Sequence, residues 1–169
     1  MVRLHHDPPA LARRVKKRYV VRFHGCPHNL DNLSRNMSLS NDTFFTSVGC
    51  MDGRSECAVA KWGRKKFGVE YADAITEAGL VGLLAEDHLD KYLIDSLVNK
   101  IKISLEKHKS KNIVVSGHED CAASAAVSEK QHKRDVLKTA ELIRLMFPKI
   151  PVLPVYVKKI NDSWTVEEL

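Results

Sequence analysis

Five polar residues in two short segments carry the side chains best suited to chemistry: Cys50, Asp52 and Arg54 in the first, and His118 and Cys121 in the second. Two thiols and an imidazole are donors that select zinc over magnesium or calcium. Three protein ligands leave the fourth tetrahedral position open, as in catalytic rather than structural zinc sites. The sequence therefore predicts a zinc site at Cys50, His118 and Cys121 with room for a water molecule.

Asp52 and Arg54 place two charged groups beside the predicted ligands. They alternate with Cys50, so in an extended turn all three side chains could project in a similar direction. An arginine fork matches a carboxylate in two parallel hydrogen bonds and keeps it ionised. A paired Asp52 can accept a hydrogen bond from a metal-bound water, whereas an unpaired one could become the fourth ligand. The alternative without chemistry is a structural ion pair at a strand end.

Each segment follows a short apolar run that predicts a buried strand. Residues 44–48 precede Cys50, and residues 113–115 precede His118. The carboxyl ends of parallel strands share one edge of an open α/β sheet, where such folds bind ligands. Two adjacent strand ends would therefore bring these distant residues together.

The chain beyond residue 42 alternates predicted strands with predicted helices, which indicates an α/β fold with a mostly parallel central sheet flanked by helices. A helix over 86–108 has an apolar stripe that includes Leu89, Tyr92 and Leu97. The small residues 78–82 predict a flexible segment close to a site or another chain. The remaining predicted elements are strands at 43–48, 69–75, 112–116 and 152–157, helices at 56–66 and 134–147, and a strand at 163–168 that returns as a hairpin across Asn161 and Asp162.

Composition divides the chain into two parts. With 169 residues and 44% hydrophobic content, it is long enough for one domain with a sizeable core. Residues 1–36 hold eight basic and two acidic residues and account for the whole net charge of +6. We therefore predict a basic N-terminal arm over residues 1–42 and a zinc-binding α/β domain over residues 43–169.

The arm contains a possible basic helix at 11–18, a possible edge strand at 19–23 and a His/Cys-containing turn at 24–28. A mobile arm or a docked loop is favoured over a metal site for this turn, because no second ligand cluster completes it. Nucleic-acid binding is disfavoured because no aromatic stacking pattern accompanies the basic run. No apolar run approaches the roughly 20 residues that span a bilayer. Four cysteines are too sparse for a disulfide scaffold, so we expect a cytoplasmic protein without a membrane span.

The paired motif, Cys-x-Asp-x-Arg followed by His-x-x-Cys after a hydrophobic strand, resembles the signature of the β-class carbonic anhydrases. Cys50, Asp52, Arg54, His118 and Cys121 match it position for position. The resemblance implies zinc bound by the two cysteines and the histidine, with a zinc-bound hydroxide oriented by an Asp-Arg dyad. It implies reversible hydration of carbon dioxide to bicarbonate, and a homodimer or higher homo-oligomer.

The sequence departs from that family at Thr76-Glu77-Ala78-Gly79, where its members carry a segment like Arg-Asn-Ala-Gly. The pocket glutamine of the family also has no counterpart in residues 1–42. Two alternatives therefore stay open. One is a non-catalytic zinc-binding relative of the same fold, and the other is a related zinc hydrolase acting on carbonyl sulfide or carbon disulfide.

The remaining candidate residues receive structural interpretations. We expect the three histidines of the domain outside the motif to be exposed, although one of them, His132, could relay protons. Cys57 is expected to pack in the core, since free cysteine is among the most buried residue types. Trp62 and Trp164 are expected to be packing anchors rather than a binding platform.

Overall fold

The computed structural model describes residues 42–169, which form five strands, four α-helices and one 3₁₀ turn. The strands are β1 (Phe44–Cys50), β2 (Tyr71–Glu77), β3 (Ile113–His118), β4 (Val152–Ile160) and β5 (Ser163–Glu168). The helices are α1 (Gly53–Phe67), α2 (Leu80–Ala85), α3 (Lys91–Glu106) and α4 (Glu129–Met146), and the 3₁₀ turn covers Ala122–Ser124. The elements predicted within residues 1–41 lie outside this described part of the chain.

The strands form one sheet in the order β2-β1-β3-β4-β5. The first four strands are parallel, and β5 runs antiparallel to β4. This arrangement confirms the predicted α/β fold with a mostly parallel sheet. The predicted hairpin is also present, because Asn161 and Asp162 both adopt positive φ (47° and 61°), as a tight two-residue turn between antiparallel strands requires.

Apolar side chains fill both faces of the sheet. Alternate residues of each strand point to opposite faces, so Val115 joins the cluster that α2, α3 and α4 cover, and Val114 joins the cluster beneath α1. Phe45 lies fully buried in the α1 cluster, and Trp62 and Trp164 pack against it as predicted. The two helical layers hold the strand ends in fixed positions relative to one another.

The observed boundaries differ most from the predictions at helix starts. Asp90 caps α3 by accepting hydrogen bonds from the backbone N–H groups of Tyr92 (2.7 Å) and Leu93 (3.0 Å), so α3 begins at Lys91 rather than 86. Tyr92 therefore falls in the first helical turn and is 85% exposed, and its assignment to the core stripe is wrong. The segment 78–82 was predicted to be flexible, but its residues 80–82 form the start of α2, in which Leu80, Val81 and Leu84 are buried, so the prediction is wrong for this part.

Within residues 42–169, no helix has the length and apolar character needed to cross a membrane.

Gly63 of α1 packs directly against the ring of Phe45 on β1. A Cβ atom at this position would lie less than 3.0 Å from the ring of Phe45, which has no room to move because it is fully buried. We expect Gly63→Ala to lower the free energy of unfolding by about 1–3 kcal/mol, the usual cost of overpacking a core. Urea denaturation measures this change.

The matched control is Gly53→Ala on the same helix, where an added Cβ meets nothing within 4 Å. Equal midpoints of urea unfolding for the two variants would contradict the close packing of Gly63 against Phe45.

Candidate metal centre

Two parallel strands deliver the three predicted metal ligands to one edge of the sheet. β1 ends at Cys50, β3 ends at His118, and Gly49 pairs with Ser116 in the register that joins them. Cys121 follows β3 after a two-residue turn. One ligand atom from each of the three residues lies within 4.8 Å of the other two, and the sulfur atoms of Cys50 and Cys121 are 3.9 Å apart. All three side chains are buried.

The ring of His118 is oriented as a metal ligand requires. Its Nδ1–H donates a hydrogen bond to the carbonyl oxygen of Glu119 (2.8 Å), which fixes the tautomer and leaves a lone pair on Nε2. Nε2 is buried and has no hydrogen-bond partner among the described residues. An unsatisfied buried polar atom is costly, and a metal ion bound at this nitrogen would remove that cost.

The two thiols also fit a cation. Burial raises the pKa of the Cys121 thiol, and the neighbouring Cys50 sulfur raises it further. Two thiolates at this separation in a buried site repel each other unless a positive charge lies between them. Two sulfurs and one imidazole nitrogen form a donor set that suits Zn²⁺, with the fourth tetrahedral position left for a water molecule.

Gly79 supports the site from the loop between β2 and α2. Its backbone N–H donates to the sulfur of Cys50 (3.5 Å), a contact that orients this side chain. Gly79 has φ of 64°, and an added Cβ would lie 2.6 Å from the Cβ of Ala123. Glycine is therefore required at position 79.

Asp52 has two tasks in the structure. Its Oδ1 accepts a hydrogen bond from the backbone N–H of Arg54 (2.9 Å) and caps the N-terminus of α1. The carboxylate also receives the Arg54 side chain, with Nε at 3.0 and 3.1 Å and Nη2 at 2.6 Å. These hydrogen bonds from Arg54 lower the pKa of Asp52 to about 2. Asp52 is therefore ionised and paired, and it does not belong to the three-residue ligand cluster.

Arg54 contacts a second carboxylate that sequence reasoning did not single out as a site residue. Its Nη1 lies 3.0 Å from Oδ2 of Asp120, and its Nη2 donates to the Asp120 carbonyl oxygen at 3.3 Å. The guanidinium carbon also lies 5.0 Å from the ring centre of Trp164 on β5. The predicted extended turn at Arg54 is wrong. Arg54 lies in the first turn of α1, and its side chain folds back toward Asp52.

His132 corrects another expectation. It lies in the first turns of α4 rather than in an exposed loop, and only 4% of its surface is exposed. Its ring centre is 6.3 Å from that of His118 and 5.8 Å from that of Tyr156. Burial lowers the pKa of His132, and nearby His118 lowers it further. The missed signal was the helical spacing of His132 with the buried Val136, Ala140 and Ile143, which shows that α4 begins at Glu129 rather than 134.

The other predicted residues lie away from the cluster. His88 is exposed, and His108, with 44% of its side chain exposed, pairs with Asp73 (2.8 Å) and stacks on the ring of Phe44. Cys57 is half-buried on α1 and is not one of the clustered ligands.

A cavity of about 380 Å³ opens beside the ligand cluster. His118 and Cys121 line it on one side, and Arg54, His132 and Tyr156 line it elsewhere. The short side chains that follow Cys121 leave this space free; they are Ala122, Ser124 and Ala125. The cavity can therefore bring a small molecule next to His118 and Cys121.

A search of curated protein sequences finds no match to this chain. Among solved structures, a single-residue variant of the β-carbonic anhydrase CafD of the filamentous fungus Aspergillus fumigatus is 16% identical with a TM-score of 0.48, and the match covers 85% of this chain and 96% of that chain. The wild-type CafD structure is 16% identical with a TM-score of 0.44 and coverage of 85% and 97%. A carbonic anhydrase from Glaciozyma antarctica is 15% identical with a TM-score of 0.43 and coverage of 72% and 80%.

The family model described as "Putative carbonic anhydrase" matches residues 40–169. This range includes every strand and helix of the sheet domain and both segments of the ligand cluster. Because the match spans well over half of the chain, the protein belongs to this β-carbonic-anhydrase-like family.

Proposed function

We propose that the protein is a zinc-dependent lyase that catalyses the reversible hydration of carbon dioxide to bicarbonate. The observation that carries this proposal is the convergence of Cys50, His118 and Cys121 at one sheet edge, where the buried Nε2 of His118 has no hydrogen-bond partner within residues 42–169. Membership of the carbonic anhydrase family supplies the reaction class.

The three clustered residues would hold Zn²⁺ through two thiolates and one imidazole nitrogen. Zinc bound in such a site would supply hydroxide near neutral pH, because it lowers the pKa of its bound water to about 7, and hydroxide is the nucleophile that carbon dioxide hydration needs. Glu119 and Gly79 orient the ligands through the hydrogen bonds to His118 and Cys50. Such supporting contacts fix the ligand geometry before the metal arrives.

Asp52 and Arg54 would orient the reacting oxygen. Because Arg54 donates to the Asp52 carboxylate, this group stays ionised at neutral pH and can only accept hydrogen bonds. An acceptor of fixed position selects the orientation of a hydroxyl proton and so directs a lone pair toward the substrate. The short side chains of Ala122 and Ala125 in the adjoining cavity leave a partly apolar space for a small neutral molecule such as carbon dioxide.

The organisation of the whole protein remains predicted. We retain the basic arm over residues 1–42, the zinc-binding domain over residues 43–169, the homodimer or higher homo-oligomer and the cytoplasmic location as parts of the proposal.

Metal binding can be tested at His118. Purified protein should contain about one zinc per chain, and His118→Ala should lose most of it because one of three protein ligands is removed. Elemental analysis after dialysis against a weak chelator measures the zinc content. His88→Ala, which changes an exposed histidine outside the cluster, serves as the control. Equal zinc content in the two variants would contradict the assigned ligand set.

The role of Asp52 is best tested with Asp52→Asn, because asparagine caps a helix as well as aspartate does and α1 should stay intact. Loss of the charged acceptor should lower the rate of carbon dioxide hydration on the order of 100-fold when both proteins are measured fully loaded with zinc. Stopped-flow measurement with a pH indicator reports the rate.

Asp90→Asn is the matched control, since Asp90 caps α3 in the same way and lies outside the site. A zinc-loaded wild-type protein without hydration above background would refute the proposed reaction. An active Asp52→Asn variant would instead refute only the role of Asp52.

A further inference from the structure

Arg54 joins the two chain segments that carry the sulfur ligands. On one side its guanidinium holds Asp52, which lies two residues after Cys50. On the other side it holds the carboxylate and the carbonyl oxygen of Asp120, which directly precedes Cys121. A planar fork with five donors can bind two acceptor groups at once in fixed directions. A single cation therefore links segments that are 66 residues apart in the sequence.

Asp120 has an unusual backbone conformation and an exposed side chain. Its backbone has φ of 55°, a region that few residues other than glycine adopt and that aspartate tolerates. Its side chain is 78% exposed, so packing does not fix its position. The described contacts of this carboxylate are those with Arg54, which makes Arg54 the group that orients it.

Trp164 holds Arg54 from a third direction. The indole belongs to β5, is half-buried and packs against the cluster beneath α1. Its ring lies 5.0 Å from the guanidinium carbon, within the range of a cation–π contact. An exposed ion pair by itself contributes little, but a fork shared by two carboxylates and supported by an aromatic ring forms a network.

We propose that Asp120 and Trp164 are positioning residues for the metal centre. They fix Arg54 so that the Cys50 and Cys121 segments stay close together before any metal binds. Through these contacts the segments that carry the two sulfur atoms, 3.9 Å apart, are held in a fixed position relative to each other. The inference rests on the proposed function in one respect, namely that the metal bound at these sulfurs is zinc.

The test compares zinc affinities by chelator competition in the full-length protein. Asp120→Asn keeps a residue that tolerates positive φ and removes only the charge. Its zinc affinity should fall about 10- to 100-fold, as for other changes in groups that orient metal ligands. The matched control is Asp162→Asn, which also has positive φ (61°) and an ion pair, with Lys159 at 2.9 Å, but lies in the β4–β5 turn.

Trp164→Leu should weaken zinc binding about two- to fivefold, the change that corresponds to an exposed cation–π contact. Trp164→Phe, which keeps an aromatic face, should restore most of the affinity, and Trp62→Leu controls for loss of a tryptophan from the same cluster. Because Asp120 and Trp164 both act through Arg54, the double variant should lose less affinity than the two single losses combined. If the two substitutions instead damaged the structure independently, the loss of zinc affinity in the double variant would equal the two single losses combined.

Cobalt substitution gives a readout that is independent of turnover. The visible absorption of bound Co²⁺ depends on coordination geometry, so we expect it to change in Asp120→Asn and to stay unchanged in Asp162→Asn. The inference is overturned if Asp120→Asn binds zinc as tightly as Asp162→Asn with the wild-type cobalt spectrum. It is overturned together with the proposed function if the wild-type protein binds no zinc. Tight zinc binding without hydration activity refutes the proposed reaction alone, and the affinity differences then still support the inference.

Discussion

The structure depends on holding two sulfur atoms and one imidazole nitrogen within 4.8 Å of one another in a buried site. This placement is unfavourable without a cation, because the His118 Nε2 is buried and lacks a hydrogen-bond partner among the described residues, and burial raises the pKa of the Cys121 thiol. The surrounding fold must therefore be rigid enough to maintain it. Parallel pairing of β1 with β3 provides this rigidity, since the two strand ends cannot slip without turning buried side chains toward the wrong face.

Groups around the ligands add the order that the sheet alone does not provide. Asp52 ends the loop after Cys50 by capping α1, so the helix start and the charged dyad depend on the same carboxylate. Arg54 then connects that loop to Asp120 beside Cys121. The site thus obtains its geometry from a helix cap, an arginine fork and two strand ends, all within a few residues of the ligands. Substitutions in this small region should therefore alter metal binding more than substitutions elsewhere in the fold.

Much of this arrangement could be predicted from sequence because it depends on short-range patterns. Buried strands read as apolar runs, the ligands follow them directly, and Asn161-Asp162 signals a hairpin. The core assignment of Tyr92 is wrong because helical periodicity does not reveal where a helix begins. The Asp90 cap sets the start of α3. His132 was missed for the same reason at the start of α4. The Arg54–Asp120 contact could not be predicted, because it depends on the positive φ of Asp120 and joins residues 66 positions apart, and neither feature follows from a local sequence pattern.

X-ray absorption at the zinc edge of the purified protein tests the central claim most directly, because it counts the atoms bound to the metal. The account predicts two sulfur ligands at about 2.3 Å, one imidazole nitrogen at about 2.0–2.1 Å and one further light atom from water. A shell of four sulfurs, or one without sulfur, would contradict the site formed by Cys50, His118 and Cys121.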